Sequence, residues 1–355
     1  MKILILGAGN IGKAIAHDLS EYAELTIADI NEDYLNEVEK YGKSKKVNAS
    51  SYDEILNSMN GFDLVVESLP GKFGFRALEA AIEAEKDIVS VSFMPENPLN
   101  LQEKAKKAGV TIIPDAGFGP GLPNICIGIM DQIFDEFKEA TIYIGGLPKN
   151  PKPPLYYRMT WSLEGLIDEY TRKARIVKNN DVIKVDPFSE IRDIKINDFE
   201  FEGFLSDGLR TLTTTINIPE MKEWTLRWEG HLEKMKTLRE LGFLNEENLQ
   251  NTLEVIKPHM SYDSRDFSIM KVEGRGIEDD KEKEIYYYLY DEEKEFTSMA
   301  RTTGFTTAVI TRQLAEMDFE KGVIPPECFD IKTSEKILSE IRERDITISK
   351  NEKEF

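Results

Sequence analysis

Three glycines, Gly7, Gly9 and Gly12, stand directly behind the apolar run from Lys2 to Leu6. Lys13 to Leu19 then switches to helical periodicity, so strand, glycine-rich turn and helix follow in order. In the G-x-G-x-x-G pattern each glycine has a separate task. Gly7 permits the tight turn out of the strand, Gly9 lets the backbone approach a pyrophosphate, and Gly12 lets helix and strand pack closely. The anion would rest on the N–H groups around Gly9, Asn10, Ile11 and Gly12, where the helix dipole favours negative charge. A second short strand ends at Asp29, at the spacing where an acid binds a ribose 2′-hydroxyl. A carboxylate there repels a 2′-phosphate, so the expected cofactor is NAD rather than NADP. A glycine-rich turn that binds nothing would leave Asp29 unexplained.

Strands and helices keep alternating beyond this point. Helices are expected over 32–41, 51–59, 72–85 and 101–108, and strands near 46–48 and over 63–68, 88–92 and 110–114. Such alternation predicts an α/β fold, a Rossmann-type doubly wound parallel sheet. Its ligand should lie outside the carboxyl ends of the strands, which brings Leu69, Pro70 and the loop 115–121 to the cofactor. After about residue 128 the pattern changes. A strand over 140–144 is broken by Gly145-Gly146 and a proline cluster, and 163–170 is helical. Half-buried strands are expected over 209–218 and 223–229. A hairpin pairs 267–273 with 285–290, and its aromatic edges are candidates for joining subunits. Helices over 299–317 and 333–344 follow, with a frayed end. The expected domains are 1–128 for the dinucleotide, 129–297 as a second α+β domain on a mainly antiparallel sheet, and 298–355 as helices returning to the first.

Composition narrows the function. Lys and Arg number 45 against 65 Asp and Glu, a net charge of −20, which excludes a basic nucleic-acid footprint. No apolar run reaches membrane-spanning length, and a cytoplasmic protein is expected. Cys126 and Cys328 are the two cysteines, and His17, His231 and His259 lack ligand spacing, so no metal is expected.

Five further residues can carry chemistry. Asp115 ends a strand and opens a loop with Gly117, Gly119 and Gly121, shaped for close backbone approach to a ligand. Arg158 and Glu164 belong to a block running from Tyr143 to Thr171, where Thr160 or Ser162 can cap a helix and place Glu164 in its first turn. Arg227 lies on the strand face opposite Trp224, Leu226 and Trp228. His231 follows at a helix N-terminus, where the dipole keeps imidazole neutral, as a proton acceptor requires.

The fingerprint Gly7 to Gly12, the Ile-Pro-Asp115-x-Gly-x-x-Pro-Gly loop, the block 143–171 and Arg227-x-x-Gly-His231 occur in one order. In that order the chain resembles the saccharopine dehydrogenase-like family, and within it the L-lysine 6-dehydrogenases. Met299-Ala-Arg-Thr-Thr303-Gly304 and Gly322-Val-x-Pro-Pro-Glu327 resemble the family's C-terminal section. The resemblance implies NAD-dependent oxidative deamination of L-lysine at its ε-carbon, giving a semialdehyde that cyclises, ammonia and NADH. His231 or Asp115 would accept the ammonium proton, Glu164 would hold the substrate's cationic end, and Arg158 or Arg227 its carboxylate. A saccharopine- or carboxynorspermidine-type reductase acting on an imine is the alternative, and a non-catalytic NAD sensor a more distant one. The partner expected is a small-molecule amino acid substrate, with a homodimer or higher homo-oligomer as the assembly.

Overall fold

The computed structural model describes residues 1–355. Its first elements are β1 (Lys2–Leu6), α1 (Asn10–Leu19), β2 (Glu24–Asp29), α2 (Glu32–Val38), β3 (Lys43–Lys46) and α3 (Tyr52–Ser58). There follow β4 (Leu64–Glu67), α4 (Gly71–Glu83), β5 (Asp87–Ser90), α5 (Gln102–Ala108), β6 (Thr111–Ile113) and α6 (Leu122–Ile133). Then come β7 (Glu136–Pro148), α7 (Leu163–Thr171), β8 (Ala174–Lys178), β9 (Asp181–Val185), β10 (Ile191–Ile196), β11 (Phe199–Leu205) and α8 (Leu212–Thr215). Next are β12 (Glu220–Arg227), α9 (His231–Glu240), α10 (Glu246–Ile256), β13 (Asp266–Glu278) and β14 (Lys281–Glu292). The chain closes with α11 (Ser298–Glu316), β15 (Gly322–Val323), α12 (Ile331–Glu343) and β16 (Thr347–Glu354). No helix is long and apolar enough to cross a membrane.

Contacts divide the chain into two units. The first holds residues 1–125 and 300–345, the second residues 126–299 and 346–355. The first unit's sheet has the order β15-β6-β5-β4-β1-β2-β3, and every pair in it is parallel. A parallel sheet covered on both faces needs continuous apolar strands, and Ile3 to Leu6 and Leu64 to Val66 are all buried. The edge strand β3 instead reads Lys-Ser-Lys-Lys and is exposed throughout, charged in the way that protects a free edge. The order of the strands reverses at β1, which lies between β2 and β4, and that reversal marks the ligand crevice at their carboxyl ends.

The second unit is built on a mixed sheet of order β10-β11-β12-β7-β13-β14-β16, with β8 on β12 and β9 on β8. β7 and β12 run parallel, and the other neighbours are antiparallel. In β14 alternate residues point inward, so Ile285, Tyr287 and Leu289 are buried between half-buried Tyr286, Tyr288 and Tyr290.

Three expectations are corrected here. The segment 209–218 contains no strand: its centre is the helical turn α8, because Thr213, Thr214 and Thr215 turn their hydroxyls onto carbonyls three or four residues back. Gly145 and Gly146 do not break β7, which runs on to Pro148. They are close-approach glycines, since a Cβ on Gly146 would fall 2.2 Å from the Met299 Cε. The expected frayed end forms β16, whose register on β14 runs from Lys283–Glu354 to Tyr290–Thr347, so the hairpin presents no free backbone edge there. β8 to β11 and α10 were not expected from the sequence at all.

Candidate functional site

The glycine turn of the first unit is determined by what surrounds each glycine. Gly7 has φ +105°, and a Cβ there would meet the Ser68 carbonyl at 2.6 Å. A Cβ on Gly12 would lie 1.9 Å from the Gly7 carbonyl oxygen, so only glycine lets α1 start this close to the strand. At Gly9, by contrast, nothing lies within 4 Å of where a Cβ would be. No side chain caps α1 and no acid occupies its first turn, so the N–H groups of Asn10, Ile11 and Gly12 form an uncapped anion site.

Asp29 closes the other side of this turn. Its carboxylate accepts from the Ala8 N–H and the Asn31 N–H, both at 2.8 Å, which fixes it beside the fingerprint. The lysines at this corner are already paired, Lys13 with Glu37 and Lys46 with Glu32. Together the open Gly9 face, the free helix N-terminus and the fixed acid fit a dinucleotide, with its adenosine half toward β2.

The carboxyl ends of β4, β5 and β6 would flank the other half. Sequence reading overlooked Glu67 there, at the end of β4. Its fully buried carboxyl accepts from the Leu69 N–H at 2.6 Å and from Ser90 Oγ at 2.5 Å, and it also contacts Ser92 Oγ. Burial pushes this acid above the usual carboxylate range. Its bonds tie the Leu69-Pro70 turn to the loop after β5. A charged residue closing the apolar strand Leu-Val-Val-Glu was the signal available in the sequence.

Asp115 stands at the end of β6 with φ +52° and is buried. The loop behind it folds back on itself through a Gly117–Gly121 bridge, and Gly121 N–H donates to Asn124 Oδ1 at 3.0 Å. Asn124 is fixed in turn by Glu327, and Thr307 Oγ1 donates to the Ala116 carbonyl. A Cβ on Gly117 would lie 2.7 Å from Val91 Cγ2, so the loop is tightly seated.

In the second unit the structure brings Arg227 and His231 together through one hydroxyl. Arg227 ends β12, Gly230 turns the chain at φ +82°, and His231 starts α9. Arg227 Nε donates to the Tyr170 oxygen at 2.9 Å, and the Tyr170 hydroxyl lies 2.8 Å from His231 Nε2. His231 Nδ1 is 2.6 Å from the Leu155 carbonyl, an acceptor only, so Nδ1 carries the proton and Nε2 accepts from Tyr170. Arg227 also pairs with Glu169 and donates to the Leu226 carbonyl. Its guanidinium lies 4.9 Å from the Tyr157 ring centre and 5.5 Å from that of Phe204.

This geometry revises the reading of His231. Burial first, and then the Arg227 charge, push its imidazole down to about 3. Burial and Arg227, rather than the helix N-terminus, keep the ring neutral, and neither nitrogen has a lone pair left for a substrate proton. It is a strut of the Arg227 network. Arg227 is likewise an enclosed cation with a partner on each nitrogen. Tyr157, Glu169 and Tyr170, which complete the network, were not singled out from the sequence, although they lie within the block 143–171.

The other two expected residues lie apart from this network. Arg158 pairs with Glu293 at 3.0 Å. Glu164 is exposed in the first turn of α7, which Ser162 caps by accepting from the Gly165 N–H. No group of histidines, cysteines and acids could hold a metal ion.

Comparison with known proteins gives the architecture a family. Residues 3–113 match the saccharopine dehydrogenase NADP binding domain, and residues 117–346 the saccharopine dehydrogenase C-terminal domain. The chain belongs to the saccharopine dehydrogenase family. It is therefore related to oxidoreductases that carry a nicotinamide-nucleotide-binding domain. Alpha-aminoadipic semialdehyde synthase of Arabidopsis thaliana is 29% identical over 225 residues, 57% of this chain but only 20% of the plant protein. Carboxyaminopropylagmatine dehydrogenase of a Synechocystis species is 22% identical over 283 residues, 72% of this chain and 70% of that relative. The apo L-Glu-forming saccharopine dehydrogenase of Saccharomyces cerevisiae has the same fold, with a TM-score of 0.82, 17% identity and 99% coverage of both chains.

Proposed function

We propose that this family member is an NAD-dependent dehydrogenase that oxidises L-lysine at the ε-carbon. The products are ammonia, NADH and 2-aminoadipate 6-semialdehyde, which cyclises to piperideine-6-carboxylate. The observation that carries the cofactor choice is Asp29. A 2′-phosphate at this corner would meet a fixed carboxylate and two lysines already engaged by Glu37 and Glu32. A 2′-hydroxyl would instead find an acceptor. NAD supplies the hydride acceptor when bound.

The protein's own residues prepare the substrate. An amine of pKa about 10.4 is protonated at neutral pH and has no lone pair to drive loss of hydride. Asp115 is the residue assigned to take that proton, since His231 has both nitrogens engaged. Arg158 is assigned to the substrate carboxylate, exchanging Glu293 for it in a charge-assisted pair. Water then hydrolyses the imine.

The names of the relatives favour a second reading, in which the chain reduces an imine formed from an aldehyde and an amine. One experiment separates the two. The protein is incubated with NAD or NADP and each of a set of amino acids and diamines, and separately with NADH or NADPH, the semialdehyde and a second amine, while absorbance of the reduced cofactor is followed. Appearance of NADH with lysine alone supports the dehydrogenase. Consumption of reduced cofactor only with semialdehyde plus a second amine supports the reductase. Binding of NAD without turnover of any compound overturns both.

A further inference from the structure

On β12 the residues Glu223, Thr225 and Arg227 share one face of the sheet, and all three are buried. Arg227 has its counter-charge in Glu169. Glu223 has none. One carboxyl oxygen accepts from Ser206 Oγ at 2.6 Å, and the other, Oε2, has no hydrogen-bond partner although the residue is only 4% exposed. The neighbouring charges do not help. Glu169 on α7 and Asp207 on the covering segment both repel a charge on Glu223, and the cations beside Asp207 are taken: Arg175 holds it in a bidentate pair at 2.7 and 2.8 Å, and Arg172 is paired with Asp168 and Asp207.

The covering segment runs from Ser206 to Thr211, and its glycine lies directly over the carboxyl. A Cβ on Gly208 would fall 1.9 Å from Glu223 Oε1 and 2.0 Å from Oε2. The same segment contains a second buried polar atom without a partner, Thr211 Oγ1. A buried carboxyl oxygen without a partner is costly unless a donor arrives. A charged donor suits it best, because the acid lacks a cation.

We propose that Glu223, lying beneath Gly208, forms the receptor for a primary ammonium group, the non-reacting α-ammonium of the substrate. The assignment rests on the amino-acid substrate proposed above. Glu164 is a weaker candidate because an exposed carboxylate gains little from an ion pair in water. In the free protein Glu223 is protonated, since burial lifts it to about 8. When the ammonium displaces the Gly208 main chain from the carboxyl, Glu223 releases its proton to solvent and the two charges pair. No bond other than that O–H is broken.

The test is calorimetric titration of the whole chain in the presence of NADH, which prevents amine oxidation, near pH 7 in two buffers of different ionisation enthalpy. The probes are L-lysine, L-ornithine, cadaverine and 6-aminohexanoate, the last of which keeps the distal amine but lacks the α-ammonium. Lysine should bind the wild type with release of nearly one proton. In Glu223→Gln it should bind at least about tenfold more weakly with no release. 6-Aminohexanoate should show neither release nor sensitivity to the substitution. Unchanged tryptophan fluorescence, which comes from the second unit alone, confirms that Glu223→Gln is folded there. Equal lysine affinity in both proteins, or binding without proton release, overturns the site and leaves the lysine reading standing. Glu223-dependent release with cadaverine but no binding of lysine keeps the ammonium site and overturns the lysine reading. Failure of every probe overturns both.

Discussion

Replacing Tyr170 with Phe removes one oxygen from the centre of the Arg227 network and little else. The ring keeps its packing against Phe188, at 5.8 Å between centres, and against Phe204, at 5.2 Å. The apolar contribution should therefore barely change. Two buried groups lose their partner: the Arg227 Nε–H, which donates at 2.9 Å, and His231 Nε2, which accepts at 2.8 Å. Each unsatisfied buried group costs about 1–3 kcal/mol, and the charged donor falls at the upper end. The expected loss is about 3 kcal/mol, within a range of roughly 2–5. Ser162→Ala, which removes only the α7 cap, provides the yardstick at about 1 kcal/mol. All three tryptophans, Trp161, Trp224 and Trp228, lie in the second unit, so urea unfolding followed by tryptophan fluorescence reports on that unit alone. A loss below about 0.5 kcal/mol would refute the reasoning, because it would mean that Arg227 and His231 do not depend on this hydroxyl.

Gly9→Ala and Gly12→Ala should separate binding from folding. The first adds a methyl group to open space, so thermal stability should stay the same while NAD affinity falls at least about tenfold. The second drives a methyl group into the Gly7 carbonyl and should lower both, as thermal shift and nucleotide titration would show. An unchanged NAD affinity in Gly9→Ala would remove the fingerprint from nucleotide binding. Asp29→Ser should move the ratio of kcat/KM for NAD over NADP at least about tenfold toward NADP, and an unmoved ratio would mean that Asp29 does not set the preference. Acid should destabilise the second unit through His231. Its folded value of about 3 lies below the unfolded value of about 6.5, so the unfolded chain binds the proton first. From this group, stability is fully present above about pH 6.5 and declines by up to about 1.4 kcal/mol per pH unit toward pH 3. An NMR titration showing His231 protonated near pH 6.5 would contradict the buried, neutral ring.

The parts of this protein that were legible in the sequence are those whose causes are local. Gly7, Gly9 and Gly12 act on a turn of six residues, and Asp29 is set by the length of one strand, helix and strand. Ser162 caps α7 by reaching three residues along the chain, and the strand-to-helix passage from Arg227 to His231 depends on one turn at Gly230. Where the cause is distant, the same residues mislead. Gly145 and Gly146 look like breakers until Leu226 and Met299 are known to press on them. The threonine-rich run Thr211 to Thr215 reads as a strand, but its hydroxyls bond carbonyls three or four residues back and turn it into a helix.

His231 shows how far a local argument reaches. Its place at a helix start suggests a neutral ring, but burial and Arg227 are what make it neutral, and its capacity to accept a proton depends on Leu155 and Tyr170, both about sixty residues or more away in sequence. Glu223 presents the same problem with the opposite outcome. Alternation along β12 assigns it to the face of Arg227, but only the tertiary neighbours show that one acid has a cation and the other does not. Period therefore tells which polar residues a strand turns the same way, while partnership decides which of them is structural and which is left to receive a ligand. By that criterion Arg227 belongs to the scaffold of the second unit, and Glu223 is the buried acid on that strand face with binding capacity to spare.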